Sequence, residues 1–355
     1  MAALVARRRN RRAHTALLVV VALVAAVIVI SRSDRSHARS SVPPPARTLH
    51  GKRSAEKPGP AKAALASTAS TASTASTTVA PSWNGPPWSV RRATFVFYDA
   101  SRDSPARGVY PGHAGRALYT TLRWPVSPQG HIAPGTLPLV VFAHGYNVSA
   151  GTYSVMLDDL TRAGIVVAAF ESPGESAALP GPAVESDLVN GPCDIEFVAA
   201  SLERHGPVAL RSALENAPLV VAGHSDGATA AAGAAYDSTC SSVAIRAVIA
   251  LSPNDVPMTA AFRFGRPPPL LAMTGSADEI NPVPNTLALY QHVPGSAWLV
   301  TVSGGRHLAT FTTDADLSRI DAMIADFVFM IVDGDVAARA HFTNHAGGRI
   351  QLQHR

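Results

Sequence analysis

The stretch LVVAGHSDGATAAAGAAY, residues 219–236, decides the fold. An apolar, β-branched run (Leu219, Val220, Val221) leads into Gly223-His224-Ser225-Asp226-Gly227, and an alanine-rich segment of good helix propensity follows. The pattern reads as strand, tight turn, helix. A G-x-S-x-G turn has a mechanical logic: the serine stands at a strained corner, and the elbow glycines Gly223 and Gly227 keep Cβ atoms out of crowded backbone. The hydroxyl of Ser225 is thereby presented at the start of a helix, where amide dipoles stabilise developing negative charge. A plain Gly/Ser-rich loop is the alternative for a bare G-x-S-x-G, and the context on both sides argues against it.

A serine nucleophile needs a base, and the base needs an orienting group. The run PLLAMT (269–274) reads as a buried strand and is followed by Gly275-Ser276-Ala277-Asp278-Glu279-Ile280-Asn281-Pro282, which puts Asp278 on a strand-end loop. Further on, AWLVTV (297–302) reads as a strand followed by Ser303-Gly304-Gly305-Arg306-His307, so His307 also sits on a strand-end loop. In a parallel sheet these loops share one edge with the Ser225 turn, and the chain order Ser, Asp, His is that of α/β-hydrolases. Asp255 and Glu279 are the rival acids; position on the loop before the histidine strand favours Asp278.

The oxyanion hole is expected from an earlier strand-end loop and from the amide after the nucleophile. LVVFA (139–143) is such a strand, followed by His144-Gly145-Tyr146, which assigns the hole to the backbone N–H groups of Tyr146 and Asp226. His144 is a rival base, read instead as loop support before a glycine turn.

The motifs VVFAHGY, VVAGHSDG, GSADEINPV and GGRHLATF, in that order, resemble those of the α/β-hydrolases that include chlorophyllases, cutinase-like polyester hydrolases and platelet-activating-factor-acetylhydrolase-like esterases. The upstream ALYTTLRWP and GPCDIEFVAASL resemble further segments of these domains, so the similarity spans about residues 91–333. The resemblance implies Ser225 as nucleophile, His307 as base and Asp278 as its partner. Polyester hydrolases carry an aromatic substrate clamp where this chain has Ser252-Pro253-Asn254-Asp255, a departure that argues against polyester cleavage.

The chain has 355 residues and a net charge of +5, from 30 basic and 25 acidic residues. The first 90 residues hold 13 of the basic and 2 of the acidic ones, leaving 17 against 23, a net −6 for the remainder. The basic balance therefore belongs to the leader and gives no reason to expect nucleic-acid binding. Residues 1–14 form a basic n-region containing RRRNRR (7–12), and the apolar run ALLVVVALVAAVIVI (16–30) makes residues 15–31 a signal anchor or signal peptide. Without an A-x-A-like cleavage site directly after Ile30, an uncleaved membrane anchor is the preferred reading, with the remainder extracytoplasmic; cleavage would make the protein secreted. Residues 32–90, with the repeat ASTASTASTAST (66–77), are Ser/Pro/Ala/Thr-rich and read as a disordered linker.

From residue 91 the pattern alternates strand-like and helix-like runs, which predicts one catalytic domain, 91–333, of the α/β class: an α/β-hydrolase fold with a mostly parallel central sheet and helices on both faces. The polar tail, 334–355, is expected to fray. The Pro/Gly/Ser-rich segment 171–190 is either a substrate-contacting lid or a passive connection. Cys193 and Cys240 either pair, as export favours, or remain free thiols. His341 and His345 have helix-face spacing but no evident third ligand, so no metal site is expected. Asn147-Val148-Ser149 matches a glycosylation acceptor and is read as loop chemistry beside the oxyanion turn. The charge of Asp226 is expected to disfavour anionic substrates. The combined reading is a serine hydrolase acting on small-molecule or lipid esters without a cofactor; acyl transfer with the same residues, or a non-catalytic tethered binding module, are the alternatives.

Overall fold

Short β-branched runs with no polar residue need cover on both sides, and a parallel sheet between helix layers supplies it. A computed structural model describes residues 88–237, 240, 243–254 and 267–355. β1 (Ser89–Asp99) and β2 (Arg116–Val126) form an antiparallel pair, and β2 runs antiparallel to β4 (Val166–Glu171). β3 (Leu139–Ala143), β4, β5 (Leu219–His224), β6 (Ile245–Leu251), β7 (Leu270–Gly275) and β8 (Ala297–Val302) are parallel, and β9 (Ile350–His354) adds antiparallel to β8. Among the described residues the sheet has nine strands in the order β1-β2-β4-β3-β5-β6-β7-β8-β9. The chain leaves β3 for β4 on one side and returns to β5 on the other, so the loops after β3 and β5 flank a topological switch point.

The strand period of two divides the core. Val141, Val221, Val248 and Leu299 face a layer built from α2 (Gly191–His205), α3 (Asp226–Tyr236) and Tyr290 of α4 (Val283–His292). Val140, Phe142, Val220, Ile249 and Val300 face the opposite layer of α1 (Ser154–Arg162), α5 (Leu317–Val332) and α6 (Val336–Asn344). The small residues of α3 have a packing reason: a Cβ on Gly191 of α2 would stand 2.6 Å from the Cβ of Ala230, so the two helices touch almost backbone to backbone. Cys193 of α2 is disulfide-bonded to Cys240, with Cα atoms 5.2 Å apart, which ties that layer to the segment beyond α3.

The structure departs from the sequence reading at both ends of the domain. The tail expected to fray is folded: Asp335 caps α6 by accepting from the amides of Ala337 and Ala338, Phe342 is buried beside Trp298 and Phe327, and His354 stacks on Trp298 at 4.3 Å. β1 begins at Ser89, ahead of the expected boundary. The leader, the linker as far as residue 87, and Asp255 lie outside the described residues. Among the described residues no helix is long and apolar enough to cross a membrane.

One buried group works against the fold. Asp321 lies on the inner side of α5, 2% exposed and facing the Asp159 carboxyl of α1. Burial first, and then the Asp159 charge, push its pKa up to about 8. The folded state thus keeps a proton that the unfolded chain releases above about pH 4, so stability falls as pH rises from about 4 to about 8. Asp321→Asn is expected to raise Tm by several degrees at pH 8.5 relative to wild type, with the gap closing toward pH 5, as read by calorimetry; a pH-independent gap would contradict the assignment.

Candidate active site

The turn after β5 is tightly constrained backbone. Ser225 has φ 57° and ψ −123°, a region a non-glycine residue occupies only when its surroundings enforce it. They do so here through close contact. A Cβ on Gly223 would strike the carbonyl of Gly227, and one on Gly227 would strike the carbonyl of Ala143 at the end of β3. The Ser225 amide donates to the carbonyl of Leu251 on β6 at 2.9 Å, and the Ser225 carbonyl accepts from Ala228 and Thr229 in the first turn of α3. The corner is therefore fixed from β3, β6 and its own helix.

The loops after β7 and β8 interlock beside it. Ala277 donates to the Gly305 carbonyl at 2.9 Å, and Gly304 donates to the Ser276 hydroxyl at 2.9 Å. Asp278 turns back on its own loop, with Oδ1 accepting the amides of Ile280 at 3.0 Å and Asn281 at 2.8 Å. Its carboxylate then receives His307 Nδ1–H at 2.9–3.0 Å. With that proton committed, the neutral ring of His307 carries its basic lone pair on Nε2. Asn281 completes the junction: its Nδ2 donates to the Ser225 hydroxyl at 3.4 Å and to the Ser252 carbonyl at 2.9 Å. Ser225, Asp278 and His307 thus come from the ends of three strands to one edge of the sheet, the serine joined to the Asp278 loop through Asn281.

The rival groups are otherwise engaged. Glu279 binds the backbone amide of His307 at 3.2 Å and the Arg306 guanidinium at 3.1 Å. It accepts backbone hydrogen bonds first and the Arg306 bond next, which hold its pKa at about 2, and it does not reach the ring. His144 donates Nδ1–H to the Gly145 carbonyl at 2.8 Å and accepts the Ser172 amide on Nε2 at 3.0 Å. Both nitrogens are used by backbone and burial lowers its pKa, so this ring braces the loop in neutral form. The loop after β3 lies against the serine: a Cβ on Gly145 would stand 3.0 Å from the Ser225 Cβ. Asp226 is buried at the N-terminus of α3, its Oδ1 accepting from Asn254 at 3.1 Å. Asn147 takes φ 53° in the loop after β3.

Sequence reasoning missed His224 and Tyr153, whose connection exists only in three dimensions. The His307 carbonyl can only accept, so His224 Nε2 carries the proton of their 3.2 Å bond. His224 Nδ1 then accepts from the Tyr153 hydroxyl at 2.8 Å, and that hydroxyl accepts the Gly145 amide at 3.4 Å. A single chain of hydrogen bonds thereby runs from the Gly145 turn through Tyr153 and His224 to the backbone of His307. Burial, reinforced by the neighbouring His307, pulls the pKa of His224 down to about 3, which keeps the chain neutral. Asn281 was legible as a neighbour of Asp278, and only its contact with Ser225 was not.

The segment 171–190 is clamped. Arg107, in the connection between β1 and β2, donates to the carbonyls of Pro173 at 3.0 Å, Ser176 at 2.6 Å, Gly181 at 3.0 Å and Pro182 at 3.2 Å. Fully buried Arg116 of β2 pairs with Asp187 at 2.8–2.9 Å and with Asp194 of α2 at 2.6–2.9 Å. These carboxylates more than offset the cost of burying the guanidinium and raise its pKa.

The alpha/beta hydrolase family model matches residues 140–354, more than half of the chain, and the chain belongs to the alpha/beta hydrolase family. Comparison with curated proteins returns no match.

Removing the Tyr153 hydroxyl leaves two buried groups without partners, the Gly145 amide and His224 Nδ1. Tyr153→Phe is expected to lower unfolding free energy by about 1–3 kcal/mol in a denaturant titration.

Proposed function

We propose that this hydrolase cleaves carboxylic esters, with Ser225, His307 and Asp278 as a catalytic triad. The observation that carries the reading is the enforced corner at Ser225, φ 57°, joined through Asn281 to the loop of Asp278, which holds the His307 Nδ1–H at 2.9–3.0 Å. In this mechanism His307 Nε2 takes the Ser225 proton as Oγ attacks the acyl carbon. The amides of Tyr146 and Asp226 receive the oxyanion, aided by the N-terminus of α3. Collapse of the tetrahedral intermediate expels the alcohol, which takes the proton back from His307, and leaves an acyl-enzyme. Water, deprotonated by the same nitrogen, attacks the acyl-enzyme and frees the acid. Asp278 holds the imidazole in the required tautomer and stabilises its charged form; the chemistry calls for no cofactor.

The motif resemblance to chlorophyllase-like, cutinase-like and platelet-activating-factor-acetylhydrolase-like esterases supports an ester as substrate, and Ser252-Pro253-Asn254-Asp255 in place of an aromatic clamp favours small-molecule or lipid esters over polyesters. The basic residues 7–12 and the apolar run 16–30 support a membrane-anchored protein whose catalytic domain is extracytoplasmic.

Assayed on p-nitrophenyl esters from acetyl to palmitoyl, the wild type is expected to turn over and to rank chain lengths, whereas Ser225→Ala loses several orders of magnitude in kcat. Product formed on an added alcohol acceptor instead of free acid would reassign the chemistry to acyl transfer. Absence of turnover and of fluorophosphonate labelling in the folded wild type would overturn the enzymatic reading.

A further inference from the structure

A second acid lies behind the nucleophile turn. Glu175, on the clamped segment after β4, and Asp226, the residue after Ser225, are each 2% exposed, and their carboxyl groups face one another. Asp226 Oδ1 is satisfied by Asn254, but Asp226 Oδ2 and Glu175 Oε1 are both fully enclosed with no donor among the described groups. Two buried acceptors in contact are satisfied only if one carries a proton and donates it to the other. The surroundings say which. Glu175 also faces Asp187 and, farther off, Asp194 of α2; the Arg116 guanidinium between those two is already bound to both. Arg107 is turned to the carbonyls of the segment, His144 is neutral, and Glu171 is held by the Ser176 hydroxyl and the Ala150 amide. No cation faces Glu175 directly in this set, so Glu175 holds the proton.

The main chain of Glu175 points to the same turn. Its carbonyl accepts the Asn147 amide at 3.0 Å, and two residues on Ala177 donates to the Val148 carbonyl at 2.9 Å. The segment is thus zipped to the oxyanion loop at the residue following Tyr146, while the Glu175 side chain grips the residue whose own amide forms the other half of the hole. One residue thus borders both halves, its carbonyl on the residue after Tyr146 and its carboxyl toward Asp226.

We propose that Glu175, as a protonated carboxylic acid donating to Asp226, is a positioning residue for the oxyanion hole of this hydrolase. The role rests on the ester-hydrolase reading above. The proton balance is simple: one proton is shared by two carboxyl groups, leaving the pair with a single negative charge. Losing it puts two buried anions in contact and pushes the segment away from α3, which displaces the amides of Asp226 and Tyr146. Burial first, and then the charges of Asp226 and Asp187, hold Glu175 protonated up to about pH 9.

The test compares full-length wild type, Glu175→Gln and Glu175→Ala by kcat/KM against pH on a p-nitrophenyl ester, and by Tm against pH. Glutamine keeps a donor to Asp226 and cannot ionise. Wild-type kcat/KM is expected to fall above about pH 9, approaching tenfold per pH unit, whereas Glu175→Gln keeps about a third or more of the neutral-pH value and holds it to pH 10. Glu175→Ala is expected to lose roughly tenfold or more at every pH, chiefly in kcat. In the folded state the retained proton makes wild-type Tm decline relative to Glu175→Gln between about pH 5 and pH 9. An alkaline fall unchanged in Glu175→Gln, or a glutamine variant as impaired as alanine at neutral pH, would overturn the proposal. If the wild type turns over no ester, the ester reading falls by itself, and the Tm comparison still decides the shared proton: a gap independent of pH overturns it.

Discussion

The left-handed backbone of Ser225 is the constraint from which the rest of the site follows. A strand that must become a helix within one residue forces its neighbours into contact, and only glycine at 223 and 227 lets the carbonyls of Gly227 and Ala143 approach as closely as they do. Strain of this kind, of order 1–3 kcal/mol, persists because bonds from β6 and from α3 over-determine the corner. Its consequence is a sheet edge at which Ser225, the N-terminus of α3 and the loop after β3 are packed together. The alanines of α3 belong to the same solution, since a helix entered so abruptly lies close against α2 and the sheet.

Around that corner the protein handles buried polarity in two ways. On the histidine side it stays neutral: His144 and His224 have both ring nitrogens committed, and desolvation keeps them uncharged. A neutral chain from Gly145 to the His307 backbone fixes geometry without adding a charge that would compete with Asp278 for the imidazole. On the other side the fold buries charge and pairs it. Arg116, with no exposed surface, is held between Asp187 and Asp194, and it joins β2, the long segment and α2 in one junction. Removing either carboxylate would leave a buried charge half-satisfied, so this junction is rigid where the segment passes the site.

The Arg107 clamp gives that segment its character. A Pro/Gly/Ser-rich stretch cannot bury enough apolar area to order itself. Here the order is imposed by one guanidinium that satisfies carbonyls spread over residues 173–182, and by the pairing of 175–177 with the loop after β3. The segment is pinned along its length rather than a free strap.

How much of this was legible in the sequence follows from the range of each interaction. The G-x-S-x-G corner, the parallel strands and the strand-end placement of Asp278 and His307 are local patterns of hydrophobic period and turn chemistry, and the sequence alone determined them. It also determined the charge division between leader and domain. It misjudged 334–355 because IQLQH alternates polar residues and looks solvated, whereas one face, Ile350 with Phe342 of α6 beside it, fills the end of the core. Tertiary structure alone decided the pairing of Cys193 with Cys240, the divergence of the neighbouring Asp278 and Glu279 side chains, one to the His307 ring and the other to its amide, and the contacts of Tyr153 and His224. Each of these is a contact between groups remote in the chain, or between neighbours whose side chains diverge. No periodicity encodes such contacts; they exist only once β3, β5, β7 and β8 bring their ends to one edge.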